Sequence, residues 1–305
     1  MRRAIMDIGS NSVLLLVADG TPGKPGMTIV ETTNVSGLGT GVRATGRLSE
    51  PGISHTLAAL RDGFAVARAH GAESIEAVGT MALRIAQNAD EFLAMAQAQG
   101  TPVHVISGDE EAELGFLAVA NDPQFHHHRR ISIVDPGGNS TELVTADRSD
   151  DGWAIRFRRS FPIGALALRD GVLAAPSPDF QARLQAVQQL DDAIAMDYLP
   201  HQSGFTVVLG ATGTNLISIR EAMTTWDPER VHGQMLDYEE VSRAVGWLCD
   251  MDDAGRAAVP GMERGRERTI HLGALILERF LFALRTPECA VSVRGWRHAW
   301  LARLA

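Results

Sequence analysis

Residues 5–19 read Ile5-Met6-Asp7-Ile8-Gly9-Ser10-Asn11-Ser12-Val13-Leu14-Leu15-Leu16-Val17-Ala18-Asp19. Residues 133–147 read Ile133-Val134-Asp135-Pro136-Gly137-Gly138-Asn139-Ser140-Thr141-Glu142-Leu143-Val144-Thr145-Ala146-Asp147. At an offset of 128 the two stretches carry the same residue at eight of fifteen positions, where unrelated windows agree at about one. Each copy is a short β-branched and apolar run ending in aspartate, then a small-residue turn, then a second apolar run. That is the pattern of a β-hairpin. The chain is therefore built as two halves on one plan. Asn121-Asp122-Pro123-Gln124-Phe125, just ahead of the second hairpin, reads as the joint and divides the chain into domains 1–122 and 123–305.

Between the hairpins the pattern is mixed α/β. Helices are expected over His55–His70, Glu91–Gln99, Glu110–Ala120, Phe180–Tyr198, Tyr238–Asp250 and His271–Leu284. Strands are expected over Ile75–Val78, Val103–Ile106, Ile131–Val134, Ala154–Phe157 and Ala290–Val293. A third glycine-rich stretch, Gly210-Ala211-Thr212-Gly213-Thr214-Asn215, follows the apolar run Phe205–Leu209. Strand, glycine turn and helix start together bind phosphate through free amides and the helix dipole. The same pattern also serves as a plain connecting loop.

Composition narrows the classes. Of 305 residues, 45% are apolar and 21% charged, which excludes a disordered chain. A formal charge of −9 argues against a general nucleic-acid binder. Two cysteines, Cys249 and Cys289, are too few for a disulfide framework or a cysteine zinc site and point to the cytoplasm. Lys24, in Gly23-Lys24-Pro25, is the single lysine, so a P-loop is excluded. No secretion signal or membrane span is expected; the longest apolar run, Gly273–Leu284, carries Glu278 and Arg279.

The repeated turn is the first chemical candidate. Glycine allows close approach and positive φ, so the amides and hydroxyls of Gly9, Ser10, Asn11, Ser12 and of Gly137, Gly138, Asn139, Ser140 can point at one anion. Asp7 and Asp135, each ending a strand, are placed to meet a metal ion or its water. One such turn alone reads as hairpin chemistry; two matching copies favour the anion. The copies differ at one telling position, where Leu14 is replaced by Glu142, a carboxylate beside Asp135. Three phosphate-facing turns without a nucleophile motif imply hydrolysis by activated water. Ser107 reads as an N-cap ahead of Asp109-Glu110-Glu111, acids that suit a helix dipole with no function at all. Arg84, one turn into an apolar helix start, is either a phosphate ligand or a solvated residue. His126-His127-His128 lack ligand spacing and read as a surface loop, and Cys249 reads as core.

Taken in order, these motifs resemble the exopolyphosphatase/guanosine pentaphosphate phosphatase family, of the actin-like superfamily. The matching stretches include Asp7–Ser12, Ala82–Asn88, Ile106–Ala112, Asp135–Val144, Phe161–Ala165, Gly210–Thr214 and Ser292–Arg297, so the likeness spans the chain. It implies two ribonuclease H-like α/β domains flanking a cleft, in the short two-domain form of the family. It also implies phosphoanhydride hydrolysis with Mg²⁺ or Mn²⁺. By the same resemblance Glu111 is the base that activates water. Asp135 and Glu142 organise the metal and the attacking water, Arg84 contacts the terminal phosphate, and the turns, with Gly213 and Thr214, bind phosphate. Inorganic polyphosphate is the expected substrate, with Arg264, Arg266, Arg268, Arg294 and Arg297 lining its groove. Guanosine pentaphosphate is the alternative, and a non-catalytic polyphosphate or nucleotide sensor is the alternative of another class. No nucleic acid or membrane partner is implied, and a homodimer is left open. Pro136, Asn139, Arg268 and His298 depart from the family pattern.

Overall fold

Strand β1 (Arg2–Ile8) pairs antiparallel with β2 (Ser12–Asp19), and β2 with β3 (Met27–Val35). After α1 (Val42–Thr45) and α2 (Glu50–Ala69), β4 (Ser74–Gly79) adds parallel to β1. Then α3 (Met81–Ile85) and α4 (Ala89–Ala98) lead to β5 (His104–Val105), parallel to β4, and to α5 (Gly108–Ala120). The computed structural model describes residues 1–20, 26–150, 152–195 and 203–303, so the last three positions of the expected helix Phe180–Tyr198 lie outside the described residues. The first sheet has the order β3-β2-β1-β4-β5.

Both faces of this sheet are covered, which is why β1 and β2 read as unbroken apolar runs and not as an alternation. Met6, Ile8, Val13, Leu15 and Val17 pack against Leu60 and Phe64 of α2 and Phe92 of α4. Ile5, Leu16 and Val78 pack with Leu114 and Ala118 of α5.

The second sheet repeats the plan. Strands β6 (Arg130–Pro136), β7 (Thr141–Ser149) and β8 (Gly152–Phe161) form the antiparallel meander. Helices α6 (Ala165–Arg169) and α7 (Phe180–Ile194) precede β9 (Phe205–Val208), which pairs parallel to β6. There follow α8 (Gly210–Arg220), α9 (Pro228–Val231), β10 (Met235–Asp237), α10 (Tyr238–Asp250), α11 (Asp253–Ala257), α12 (Ile270–Leu284) and β11 (Glu288–Val291). The order is β10-β11-β9-β6-β7-β8, the first plan with one antiparallel edge strand added. The two α/β sheets are the ribonuclease H-like pair expected from the sequence.

The duplication extends past the window in which the sequence revealed it. Arg2 forks onto Asp19 at 2.8 and 2.7 Å, and Arg130, 128 residues on, forks onto Asp147. The register slips between Val17 and Ala18 in one unit and between Thr145 and Ala146 in the other. Helix α12 is buried on nearly every side, so its apolar run is a core helix. Its Arg279 is paired with Asp191 of α7 at 2.7 and 2.9 Å. Among the described residues no helix is long and apolar enough to cross a membrane.

The last helix, α13 (Trp296–Arg303), does not stay with the second sheet. Trp296 and Ala299 enter the apolar cluster of Ile5 and Leu114, and Trp300 donates its indole N–H to Glu76 at 3.2 Å. The chain thus forms two compact units, Met1–Asn121 with Trp296–Ala305, and Asp122–Gly295. The joint expected at 122/123 falls one residue earlier, and the second unit ends ten residues short of the expected 305.

Candidate active site

The two turns are built alike. Gly9 donates its N–H to the Ser12 carbonyl at 2.9 Å, and Gly137 to that of Ser140 at 2.8 Å. Flanking backbone then takes up the carbonyls. Ser10 O accepts from Gly39 N at 2.7 Å, and Gly138 O accepts from Leu166 N at 2.7 Å. In a trans peptide the N–H points opposite the C=O, so the Asn11 and Asn139 amides are turned away from those flanking segments. In the second unit the first amides of α6 are consumed by the Gly137 and Gly138 carbonyls.

Close approach, and not unusual backbone, explains the glycines. Gly9, Gly137, Asn11 and Asn139 all avoid positive φ, so asparagine at position 139, a departure from the family pattern, fits the turn without strain. A Cβ at Gly137 would lie 2.8 Å from the Ser140 carbonyl. The tightest position is Gly164, where a Cβ would stand 2.4 Å from both the carbon and the oxygen of the Gly138 carbonyl. Gly164→Ala is accordingly expected to push the turn off α6 and cost about 2–4 kcal/mol. Thermal melts and denaturant titration check this; a melting temperature equal to wild type would contradict it. Pro136 also fits, closing β6 opposite Thr141 with the turn hydrogen bond intact.

Asp135 and Glu142 stand directly opposite in the β6–β7 ladder, whereas the matching pair in the first unit is Asp7 and Leu14. Directly paired residues share one face with Cβ atoms about 5 Å apart. Glu142 is 4% exposed and accepts a 2.7 Å hydrogen bond from Ser160 Oγ, a partner on β8 that no sequence signal announced. Two like charges across one ladder, Glu142 buried and Asp135 half-buried, would repel, and a hard cation would relieve them. One or two carboxylates with retained waters suit Mg²⁺. Among the described residues no cluster of three or more metal-binding side chains forms, and a cation here would have two carboxylates to hold it. Asp7, 8% exposed, is the last residue but one of β1 in the first unit. Gly210 reaches Asp135 closely enough that a Cβ there would meet Oδ1 at 2.8 Å, and its φ of +74° also demands glycine.

Glu111 and Arg84 are brought together within the first unit. Ser107 Oγ accepts from Glu110 N at 3.1 Å, the expected N-cap, and sets Glu111 in the first turn of α5. Arg84, on α3, donates through Nη1 to Glu111 Oε2 at 2.9 Å and to the Ile106 carbonyl at 2.8 Å. Their side chains are 18% and 14% exposed, for Arg84 and Glu111 respectively, so the pair is sheltered yet reachable. Burial pushes the Glu111 carboxyl above its ordinary range, and the Arg84 guanidinium only partly offsets this.

The third stretch differs from expectation. Only Gly210 turns; Gly213 and Thr214 lie inside α8. Gly213 is the contact by which α8 packs on the sheet, with a Cβ there 2.6 Å from Val208 Cγ1. The Thr214 hydroxyl bonds back to the Gly210 and Ala211 carbonyls at 3.4 and 3.3 Å. Of the groove arginines, Arg297 is buried on Glu31 at 2.6 Å, Arg294 pairs with Asp122 at 3.2 Å and Arg266 with Glu263 at 3.3 Å. Arg268 is exposed, 3.7 Å from Asp253. His126 and His127 are exposed, and the His128 ring stacks on Phe205 at 3.6 Å. Cys249 is core, as expected.

Residues 16–305 match the Ppx/GppA phosphatase family. Exopolyphosphatase 2 of Mycobacterium tuberculosis is 31% identical over 93% of this chain and 91% of its own. The crystal structure of the Aquifex aeolicus Ppx/GppA family member is 30% identical with a TM-score of 0.79, covering 99% of this chain and 96% of that one. An exopolyphosphatase from Cytophaga hutchinsonii, 21% identical, shares the fold with a TM-score of 0.88 over 100% of this chain and 97% of its own. With repeated turns, the asymmetric carboxylate pair and a family match from Leu16 to the last residue, this chain belongs to the Ppx/GppA phosphatase family.

Proposed function

We propose that the protein is an exopolyphosphatase, releasing orthophosphate from the end of inorganic polyphosphate by attack of water on the terminal phosphoanhydride. The observation that carries this reading is Glu111, a buried carboxylate held by Arg84, with its proton affinity raised by burial. In the proposed step Glu111 takes a proton from water as the water oxygen bonds to the terminal phosphorus. The bridging P–O bond breaks, and its electrons stay on the shortened chain as a new terminal phosphate. Nη1 of Arg84 serves Ile106 and Glu111, so Nε and Nη2 are assigned to the terminal phosphate oxygens. The repeated turns present amides to further phosphates. A Mg²⁺ or Mn²⁺ ion held by Asp135 and Glu142 would neutralise charge on the phosphoryl oxygens. The curated relative named Exopolyphosphatase 2 supports polyphosphate as substrate.

The pH dependence carries a sign. Glu111 acts as base only when ionised, and its affinity for protons is raised. Activity therefore falls with decreasing pH while still above the ordinary carboxylate range. Arg84 lowers that affinity, so Arg84→Met is expected to move the acid limb of kcat/KM to higher pH as well as slowing turnover. An unmoved limb would contradict the assignment. Substrate class is tested by comparing kcat/KM on long-chain polyphosphate with that on guanosine pentaphosphate. The proposal expects polyphosphate to be preferred, and the reverse preference overturns it.

A further inference from the structure

The chain passes from the first unit to the second at 121/122 and returns at 295/296, so Asp122 is the first residue of the second unit and Arg294 its last but one. We infer that Asp122, His232 and Arg294 form a clasp that ties the entering segment to the leaving segment, so that the two crossings loosen or hold together.

Asp122 is 2% exposed, and its Oδ2 lies 3.2 Å from His232 Nε2 and 3.2 Å from Arg294 Nη1. Its Oδ1 accepts from the Gln124 amide at 2.9 Å. Entering segment, loop and leaving segment thus converge on one carboxylate. The loop after α9 is the wedge. His232 faces Asp122 with Nε2, while its Nδ1 accepts from the Val293 amide at 3.4 Å. The next residue, Gly233, repeats the bridge through backbone. Its N–H donates to the Val291 carbonyl at 2.8 Å, and a Cβ on it would meet Gln124 Nε2 at 2.7 Å. Phe125 closes the entering side, its buried ring set edge-on to His232 with centroids 5.3 Å apart.

A buried carboxylate whose donors are removed costs free energy, so each member has reason to hold the others. Burial raises the Asp122 proton affinity most, but His232, the Gln124 amide and Arg294 together outweigh it and hold the carboxyl below its usual range. The Asp122 carboxylate therefore stays ionised through neutral pH. Nothing in this inference depends on the reaction proposed above.

Hydrogen exchange on the full chain tests it, with Asp122→Asn as the variant. Amides of residues 124–126 and 292–295 are expected to exchange about tenfold faster, by matching factors, while β1 and β6 stay within about twofold of wild type. Acceleration confined to the entering segment would overturn the clasp, as would acceleration spread evenly through the second unit. His232→Asn, which keeps an acceptor near Val293 but withdraws from Asp122, is read by the same criteria. It decides the matter alone if Asp122→Asn does not fold.

Discussion

Glu111→Gln is expected to lower orthophosphate release by about 10²–10⁴-fold, the usual contribution of a positioned general base, while leaving the melting temperature close to wild type. Glutamine keeps the shape and an oxygen acceptor for Arg84 Nη1, and the Ser107 cap of α5 does not involve the Glu111 side chain. Its amide also spares α5 the burial of a charge that the surroundings disfavour. What it cannot do is accept a proton. Loss of rate with an intact melt therefore isolates the chemical role, and unchanged turnover would remove Glu111 from it.

Glu142→Gln is expected to cost about 10²-fold or more, since a metal-held phosphoryl oxygen is worth several kcal/mol. It should also raise the concentration of Mg²⁺ needed for half-maximal rate. Ser160 Oγ can still donate to the amide oxygen, and the buried one of two opposed carboxylates no longer carries charge. Stability should therefore hold or rise as activity falls. Equal rates and an unchanged Mg²⁺ requirement in the variant would show that the β6–β7 carboxylates do not hold the ion.

The fold was legible because its plan is written twice. The identities between residues 5–19 and 133–147 fall on paired strands that bury both faces, where few residue types fit. The ladder also turns Glu142, one of seven positions at which the copies differ, into a partner of Asp135. Helix Tyr238–Asp250 was read to the residue because its polar and apolar faces are sharply separated and Asp237 caps it.

What escaped the sequence was partnership across long separations. Gly213 looked like a phosphate-facing glycine, since a local pattern cannot distinguish an amide presented to an anion from a helix pressed onto Val208. Arg297 looked available for a groove; its carboxylate partner, Glu31, lies at the other end of the chain. The return of α13 to the first unit depends on Trp296 finding Ile5 and Leu114, a match no periodicity encodes. Asp122 read only as part of the joint between the halves, because His232 and Arg294 reach it from more than a hundred residues away.

The most direct measurement is hydrolysis of polyphosphate carrying labelled terminal phosphates, run in ¹⁸O-enriched water with Mg²⁺. Water attack at the chain end predicts labelled orthophosphate from the first turnover, one ¹⁸O in each molecule released, formed about 10²–10⁴-fold more slowly with Glu111→Gln. Binding without release, first-released orthophosphate that lacks the terminal label, or orthophosphate free of ¹⁸O would each contradict it.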